Sequence, residues 1–436
     1  MHSGSVGKVL SATAHLNQCK MKRQQNRTLG AFEKTFWLLD QIDSKDFCLA
    51  AEISGTKPAE QWREAIDIVQ RRHPNLSVRV ALDELSRPAL EHVGNLQIPL
   101  RVVHADQDYP WEREVEKELS ERFDTAAGPL LRVVLVQKTD STVLILSANH
   151  TVADGTSLSH LTRDILLAVT GEELALMQPQ VSNDQTLGLP EDLPAQTIDK
   201  VLELKIKTDV VSPLVSVHRI SETTTRNILE RARQENTSVH GAICAAALMA
   251  SRRMRPEWEQ TRMELVSPIC TRAALDLDDN FGLNITTQSV FFENQPYLSF
   301  WDLAGLAKAG LGGTSSAEYT TGYLSFFREI VFGHNDMQRM LDALKQAFNH
   351  HIMVTNLVRV KYATDFGPLK LEALYGPMVR SGKGMEQTIG ALTTNGSLCL
   401  TNTSDTPIPG LLLEMEQILE NACEDHVVAK TECSLQ

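Results

Sequence analysis

The stretch Asn149-His150-Thr151-Val152-Ala153-Asp154-Gly155 decides how this chain is read. Two strongly apolar runs precede it, Leu130 to Gln137 and Thr142 to Ala148, separated by Lys138-Thr139-Asp140-Ser141. Short, nearly continuous apolar runs joined by a polar tetrapeptide read as an antiparallel hairpin of buried strands. After Gly155 the period changes. Leu158, Leu161, Ile165 and Leu166 recur at helical spacing in a segment that starts near Thr156 and stops at Gly171. His150 therefore stands where a buried strand ends and a helix is about to begin, a position from which a loop side chain projects into a cleft.

Upstream, Trp62, Ala65, Ile66 and Val69 make one apolar face of a helix over 58–73, closed by Pro74. Runs with strand character flank it at Phe47 to Ile53 and Leu76 to Leu82. A second helix, 110–123, puts Trp111, Val115, Leu119 and Phe123 on one side. Between Gly171 and about Pro213 the periodicity fades into a polar stretch rich in Gln, Asp and Pro, which reads as a linker. Beyond it, helices are expected at 223–236 and 238–254. The second is capped by Thr237-Ser238, and its small residues Ala242, Ala245, Ala246 and Ala247 form a face suited to packing against a sheet. Strands at 263–269, 284–292, 351–358, 369–374, 388–393 and 398–401 alternate with helices near 298–308, 336–349 and 410–422. No short-period repeat interrupts this grammar, which argues against solenoids and propellers.

At 436 residues the chain is too long for one core, so two domains of similar size are expected. A net charge of −13 speaks against a nucleic-acid surface, because phosphate binding needs clustered Lys and Arg. The one basic run, Lys20 to Arg27, reads as a solvated tail. The seven cysteines are scattered and never spaced as C-x-x-C, so neither a disulfide frame nor a metal site is expected, and the chain reads as cytoplasmic. No stretch approaches eighteen consecutive apolar residues, and no membrane span or export signal is expected.

With thirteen histidines, an accidental His-x-x-x-Asp-Gly would arise in roughly 5% of such chains, so the spacing alone is a moderate signal. Two bland readings compete with a catalytic one. His150 could simply hydrogen-bond a neighbouring carbonyl, or pair with Asp154 as an i, i+4 metal site, against which Gly155 and the missing third ligand speak. Asp154 as a helix cap is compatible with every reading.

The segment resembles the His-His-x-x-x-Asp-Gly motif of the chloramphenicol acetyltransferase-like superfamily. That group includes peptide-synthetase condensation domains, alcohol acyltransferases and polyketide-associated acyltransferases. Phe123-Asp124 with Gly128-Pro129-Leu130-Leu131-Arg132, Leu29-Gly30 with Glu33, and Arg72-His73-Pro74 are similar to its N-terminal half. Thr237-Ser238-Val239-His240-Gly241-Ala242, Val266-Ser267-Pro268 with Thr271-Arg272, Asn280-Phe281-Gly282-Leu283-Asn284, and Thr355-Asn356-Leu357 resemble parts of its second half. Three departures stand out. Asn149 replaces the first motif histidine; Asp365-Phe366-Gly367-Pro368-Leu369 matches the plant-type Asp-Phe-Gly-Trp-Gly signature only in part; and His350-His351 lacks a following Asp-Gly and reads as a decoy.

The resemblance implies an α/β fold with mixed sheets, in which two acetyltransferase-like subdomains form a V-shaped pseudo-dimer. Residues 1–27 would be a flexible leader, 28–175 the subdomain carrying the motif, 176–213 the linker and 214–436 the second subdomain. It also implies an acyltransferase that moves an acyl group from a thioester, acyl-CoA or a carrier protein acting in trans, to an alcohol or amine. O-acylation in secondary metabolism is the expected setting. His150 would be the general base. Asp154 would pair with Arg272 across the subdomain junction as an anchor. Gly155 would let the backbone approach the thioester oxygen or turn sharply into the helix. Asn149, Ser157 and Asn356 are candidate substrate or oxyanion contacts. No permanently bound cofactor or metal is expected, and the chain is expected to be a monomer. The alternatives are a non-catalytic condensation-like binding protein and a thioester hydrolase using the same histidine.

Overall fold

The computed structural model describes residues 26–190, 212–295, 297–333, 337–380 and 385–433. The expected leader lies, up to residue 25, outside the described residues, as does 191–211 of the expected linker.

In chain order the elements begin with β1 (Arg27–Thr28), α1 (Ala31–Asp40), β2 (Asp46–Ser54), α2 (Ala59–Arg72), β3 (Val78–Leu82), β4 (Pro88–His92) and β5 (Leu100–His104). There follow α3 (Glu112–Ser120), β6 (Leu131–Gln137), β7 (Ser141–Asn149), α4 (Gly155–Val169) and the single turn α5 (Asn183–Thr186). The second half holds β8 (Leu214–Arg219), α6 (Glu222–Gln234), α7 (Val239–Met254), β9 (Met263–Cys270), β10 (Ile285–Phe292), α8 (Phe300–Gly310), α9 (Ala317–Phe332) and α10 (Met337–Ala347). It ends with β11 (Ile352–Arg359), β12 (Lys370–Val379), β13 (Gln387–Thr394), β14 (Ser397–Ser404) and α11 (Leu411–Cys433).

The fold is mixed α/β, built on two large sheets and a small one. The hairpin read from the apolar runs is present: β6 and β7 pair antiparallel from Leu131↔Ala148 to Gln137↔Thr142. They lie inside a five-stranded sheet ordered β12-β2-β7-β6-β5. All but the first residue of β7 are buried, because both faces of this strand are covered, and this is why its sequence is an apolar run rather than an alternation. The second sheet is ordered β10-β9-β11-β13-β14-β8, with β11 parallel to both neighbours.

The halves are joined by more than a linker. Strand β12, from the second half of the sequence, forms the edge of the first sheet, antiparallel to β2 from Lys370↔Ser54 to Val379↔Phe47. Helices α9 and α10 likewise send Leu324, Phe327, Val331, Leu341 and Leu344 into the core that holds α1, α2 and α4. A second core gathers α7, α8 and α11 over the six-stranded sheet. The small residues of α7, Ala242, Ala245, Ala246 and Ala247, share that core with Leu265, Ile352, Val354 and Ile389 of the sheet, and at Gly241 the helix also comes close to α8, where a Cβ would stand 2.5 Å from the Ala304 carbonyl oxygen. Among the described residues no helix is long and apolar enough to cross a membrane.

Candidate active site

His150 follows the last residue of β7, and its backbone N–H donates to the Lys45 carbonyl at 3.0 Å, which pins it to the strand entering β2. Its ring lies against Phe47, with centroids 4.0 Å apart and planes 15° from parallel, and is flanked by Phe36 at 4.8 Å. Nδ1 lies 3.0 Å from the Ala153 carbonyl oxygen. A carbonyl can only accept, so Nδ1 carries the proton and Nε2 is left with its lone pair. Burial pulls the imidazole down to about 4 from the ordinary value, against the opposing pull of the Ala153 carbonyl and Asp154. The ring is neutral at pH 7.

This ring lines a cavity of about 520 Å³ between the two halves. Phe36, Leu39, Ser159 and His160 contribute from the first half, and Met353, Leu357, Tyr362 and Pro377 from the second. A site of this size, mostly apolar with a few polar groups, suits a small organic ligand.

Asp154 is the N-cap of α4 and faces away from the cavity. Its Oδ1 accepts the Ser157 N–H at 2.8 Å; its Oδ2 accepts Arg272 Nη1 at 2.8 Å and the Asn284 N–H at 2.7 Å. Asp154 is wholly buried and Arg272 nearly so. The guanidinium also donates through Nη2 to Ser157 Oγ at 2.8 Å, and Ser157 Oγ donates to the Gly282 carbonyl at 2.7 Å. One buried cluster thus ties the motif loop to the segment 270–284 of the second half. Gly155 is needed for close approach: a Cβ there would come within 2.3 Å of Pro377 Cγ and 3.2 Å of Leu357 Cδ2.

The candidate contact residues divide. Asn356 lines the cavity, with its Oδ1 accepting the Val358 N–H at 2.7 Å. Asn149 and Ser157 turn away from it. Asn149 Nδ2 bridges two buried carboxylates, Asp46 at 2.8 Å and Asp40 at 3.2 Å, while its Oδ1 accepts the Thr151 N–H at 3.0 Å. Burial, with Asp46 alongside, raises Asp40 to about 7, and burial raises Asp46 as well. Ser157 Oγ is saturated by Arg272 and both backbone groups of Gly282. Both side chains hold the loop that presents His150 and do not reach the cavity.

Sequence reasoning missed several lining groups. Phe36 sits on α1, where all ten residues are buried, the charged ones included. Lys45 and Tyr362 also line the cavity, as does His350, which burial holds down to about 4. Of the supposed decoy pair, only His351 turns elsewhere, its Nδ1 accepting the Glu264 N–H at 3.1 Å. Among the described residues no group of carboxylates, histidines and cysteines could hold a metal ion.

Comparison with known proteins agrees with this fold. The condensation-domain family model matches residues 46–182, and that of the phthiocerol/phthiodiolone dimycocerosyl transferase C-terminus matches 210–276. The polyketide synthase associated protein 5 of Mycobacterium tuberculosis has a similar fold: TM-score 0.59 at 16% identity, covering 91% of this chain and 97% of that one. The condensation domain of the Monacolin K polyketide synthase MokA gives 0.62 at 13% identity, covering 91% and 97%. Among curated sequences, a polyketide synthase-nonribosomal peptide synthetase of Aspergillus clavatus is 26% identical over 152 residues, 33% of this chain and 4% of that protein. Phosphinothricin tripeptide synthetase PhsC of Streptomyces viridochromogenes is 24% identical over 324 residues, 61% of this chain and 27% of that protein. The chain thus spans only a small part of the length of these curated relatives.

Proposed function

We propose that this chain, with the chloramphenicol acetyltransferase-like fold and the family matches of condensation-type acyltransferases, moves an acyl group from a thioester to an alcohol or amine, with His150 as general base. One observation carries the reading: the motif histidine, fixed in a single tautomer by the Ala153 carbonyl, lines the cavity that both halves enclose.

As the acceptor oxygen or nitrogen attacks the thioester carbon, Nε2 takes its proton; the C–S bond breaks, and the imidazolium returns that proton to the departing thiolate. The thioester is already activated, so no covalent acyl-enzyme is required. Gly155 and Thr156 both line the cavity and open α4, where backbone N–H groups have no helical acceptor. We assign them to the developing oxyanion. Asp154 and Arg272 act as anchors. The relatives' names, polyketide and peptide synthetases, support a setting in secondary metabolism; the choice of an alcohol over an amine acceptor rests on the motif resemblance. The apolar walls favour a hydrophobic acceptor.

The test mixes the protein with an acyl-CoA panel and a pool of alcohols and amines, following free thiol and product mass. His150→Ala is expected to lower transfer by roughly 10² to 10⁴ while the variant stays folded. Full activity in that variant refutes the assignment. Thiol release without acceptor would mark a hydrolase, and neither thiol nor product with any donor a binding protein.

A further inference from the structure

We propose that Asn149, standing where the motif has its first histidine, and the buried carboxylates Asp40 and Asp46 form one proton-sharing unit that positions His150. This inference rests on the acyl-transfer reading and gives a role to three side chains that do not line the cavity.

The unit closes a ring of bonds around the base. Asn149 stands opposite Asp46 where β7 lies on β2, and its Nδ2 donates to Asp46 Oδ1 at 2.8 Å and to Asp40 Oδ1 at 3.2 Å. The same Asp40 oxygen accepts the Lys45 N–H at 2.8 Å, and the Lys45 carbonyl accepts the His150 N–H at 3.0 Å. On the far side of His150, the Thr151 N–H donates to Asn149 Oδ1 at 3.0 Å. The backbone on both sides of the base is therefore tied to one amide. A primary amide has two N–H hydrogens on one nitrogen and an oxygen that accepts, whereas a neutral imidazole has a single N–H. Asparagine can serve both carboxylates and the Thr151 N–H at once, and a histidine at this position could not.

Charge sets the protonation of the pair. Asp40, Asp46 and Asn149 are 2%, 1% and 0% exposed. Among the described residues the one cation within ion-pair distance of either carboxylate is Arg122, 3.8 Å from Asp40 Oδ2. The other cations nearby are engaged elsewhere, Lys45 with Asp43 at 3.0 Å and Arg132 of β6 with Glu118 at 2.7 Å. Two buried anions joined by a neutral amide repel each other, and one shared proton removes that repulsion. Hydrogen bonds decide where the proton stays. Asp46 accepts the Ser44 hydroxyl at 2.6 Å and the shorter of the two Asn149 bonds, which suits the anion. Asp40 Oδ2 accepts no hydrogen bond among the described residues and is free to carry the proton. Burial, with Asp46 alongside, raises this carboxyl to about 7.

When the Asp40 proton leaves, two like charges share one amide. Asp40 holds that amide by the longer bond and is the partner that gives way, toward the Arg122 guanidinium, whose Nη2 already donates to the Asp40 carbonyl. The Lys45 N–H follows the carboxylate to which it donates, and the Lys45 carbonyl then draws away from the His150 N–H. Asp40 and Asp46 are thus positioning residues, acting on the base through the backbone of Lys45 and the amide of Asn149.

NMR of the full chain with carbon-13 in its histidine rings tests this, the His150 Cε1 signal being the one missing from His150→Ala. That signal is expected to show a step near pH 7, well above the titration of the ring itself at about 4, and the step is expected to vanish in Asp40→Asn. A His150 signal with no step near 7, or a step that survives in Asp40→Asn, overturns the proposal. Circular dichroism checks that the variant is folded. Asp46→Asn provides a second test: with the neighbouring charge gone the step is expected at lower pH, and a step that stays in place overturns the sharing. With a transferred substrate pair, the wild-type rate is expected to fall about tenfold from about pH 6 to about pH 8, as the protonated share of Asp40 drops from about nine-tenths to about one-tenth. In Asp40→Asn the fall is expected to be less than about twofold, and equal falls in both proteins overturn the coupling to transfer. The acyl-transfer reading fails separately, if His150→Ala transfers at the full rate or no donor is turned over, and the NMR titration then still decides whether the pair positions the ring.

Discussion

Exchange of Arg272 for methionine removes the cation from a carboxylate that has no access to water. Asp154 would keep two backbone donors, the N–H groups of Ser157 and Asn284, and its place at the start of α4. Breaking a buried ion pair from one side costs about 3–5 kcal/mol, because the remaining charge is stranded. The surviving donors and the helix N-terminus, the latter worth about 0.3–1 kcal/mol, place Arg272→Met at the lower end, about 3 kcal/mol. Asp154→Asn strands the guanidinium instead. That cation still has Ser157 Oγ and the carbonyls of Asn280 and Gly282, so the cost is expected to be similar or slightly smaller. The double variant strands nothing, so its cost should fall short of the sum by about 1–3 kcal/mol. Urea unfolding followed by tryptophan fluorescence measures all four corners of this cycle. Additivity within about 0.5 kcal/mol, or single variants costing less than about 1 kcal/mol, would refute the anchoring role.

Gly155→Ala places a methyl group 2.3 Å from Pro377 Cγ, and overpacking of this kind costs about 1–3 kcal/mol. A lowered melting temperature with a reduced transfer rate is expected, and an unchanged one would show that β12 gives way freely. For acid stability, His150, His240 and His350 all have folded values lowered by burial to about 4, below the ordinary 6.5. The unfolded chain therefore binds more protons between these values. Stability is complete above about 6.5 and is lost as pH falls toward 4. A melting temperature flat from pH 7 to pH 5 would contradict neutral burial of these rings. Asn149→Leu removes the amide shared by Asp40 and Asp46. Its stability deficit should shrink as pH falls through about 7, where Asp40 takes up a proton, and a pH-independent deficit would count against the bridge.

Much of the site was readable because its elements follow local rules. The β6–β7 hairpin and α4 carry unbroken apolar runs and a change of period at Asn149–Gly155, so the strand-end position of His150 follows from the sequence itself. The anchor of Asp154 on Arg272 came from family resemblance; no local pattern links residues 118 apart in sequence. Helix α1 stayed hidden because its charged residues are buried in partnerships made elsewhere. Glu33 pairs with Arg27 at 2.6 Å, and Lys34 donates to the Val331 carbonyl of α9 at 2.7 Å. Such a helix has no solvent face, and the amphipathic period that reveals α2 is weaker in it, carried by Phe32, Phe36 and Leu39. The crossing of β12 into the first sheet was equally silent, because its apolar run fits either sheet and only the pairing with β2 decides between them.

An imidazole held down to about 4 is a weak base by itself, and the origin of the shift shows how it could serve in the proposed reaction. Burial penalises a lone imidazolium. It does not penalise to the same extent an imidazolium formed beside an equal and opposite charge, because in a low-dielectric cavity that pair attracts strongly. In the proposed reaction the proton would reach Nε2 as negative charge develops on the thioester oxygen, so the two charges would appear together. The Ala153 carbonyl on Nδ1–H and the face of Phe47 then favour the cation. The same buried aromatic surround that depresses the resting value would thereby strengthen the interactions made only during the proposed transfer, which is the condition for lowering the barrier rather than merely binding substrate. Closure by both halves is part of that condition, since Leu357 and Pro377, the residues sealing Gly155 and the cavity wall, come from the second half of the chain.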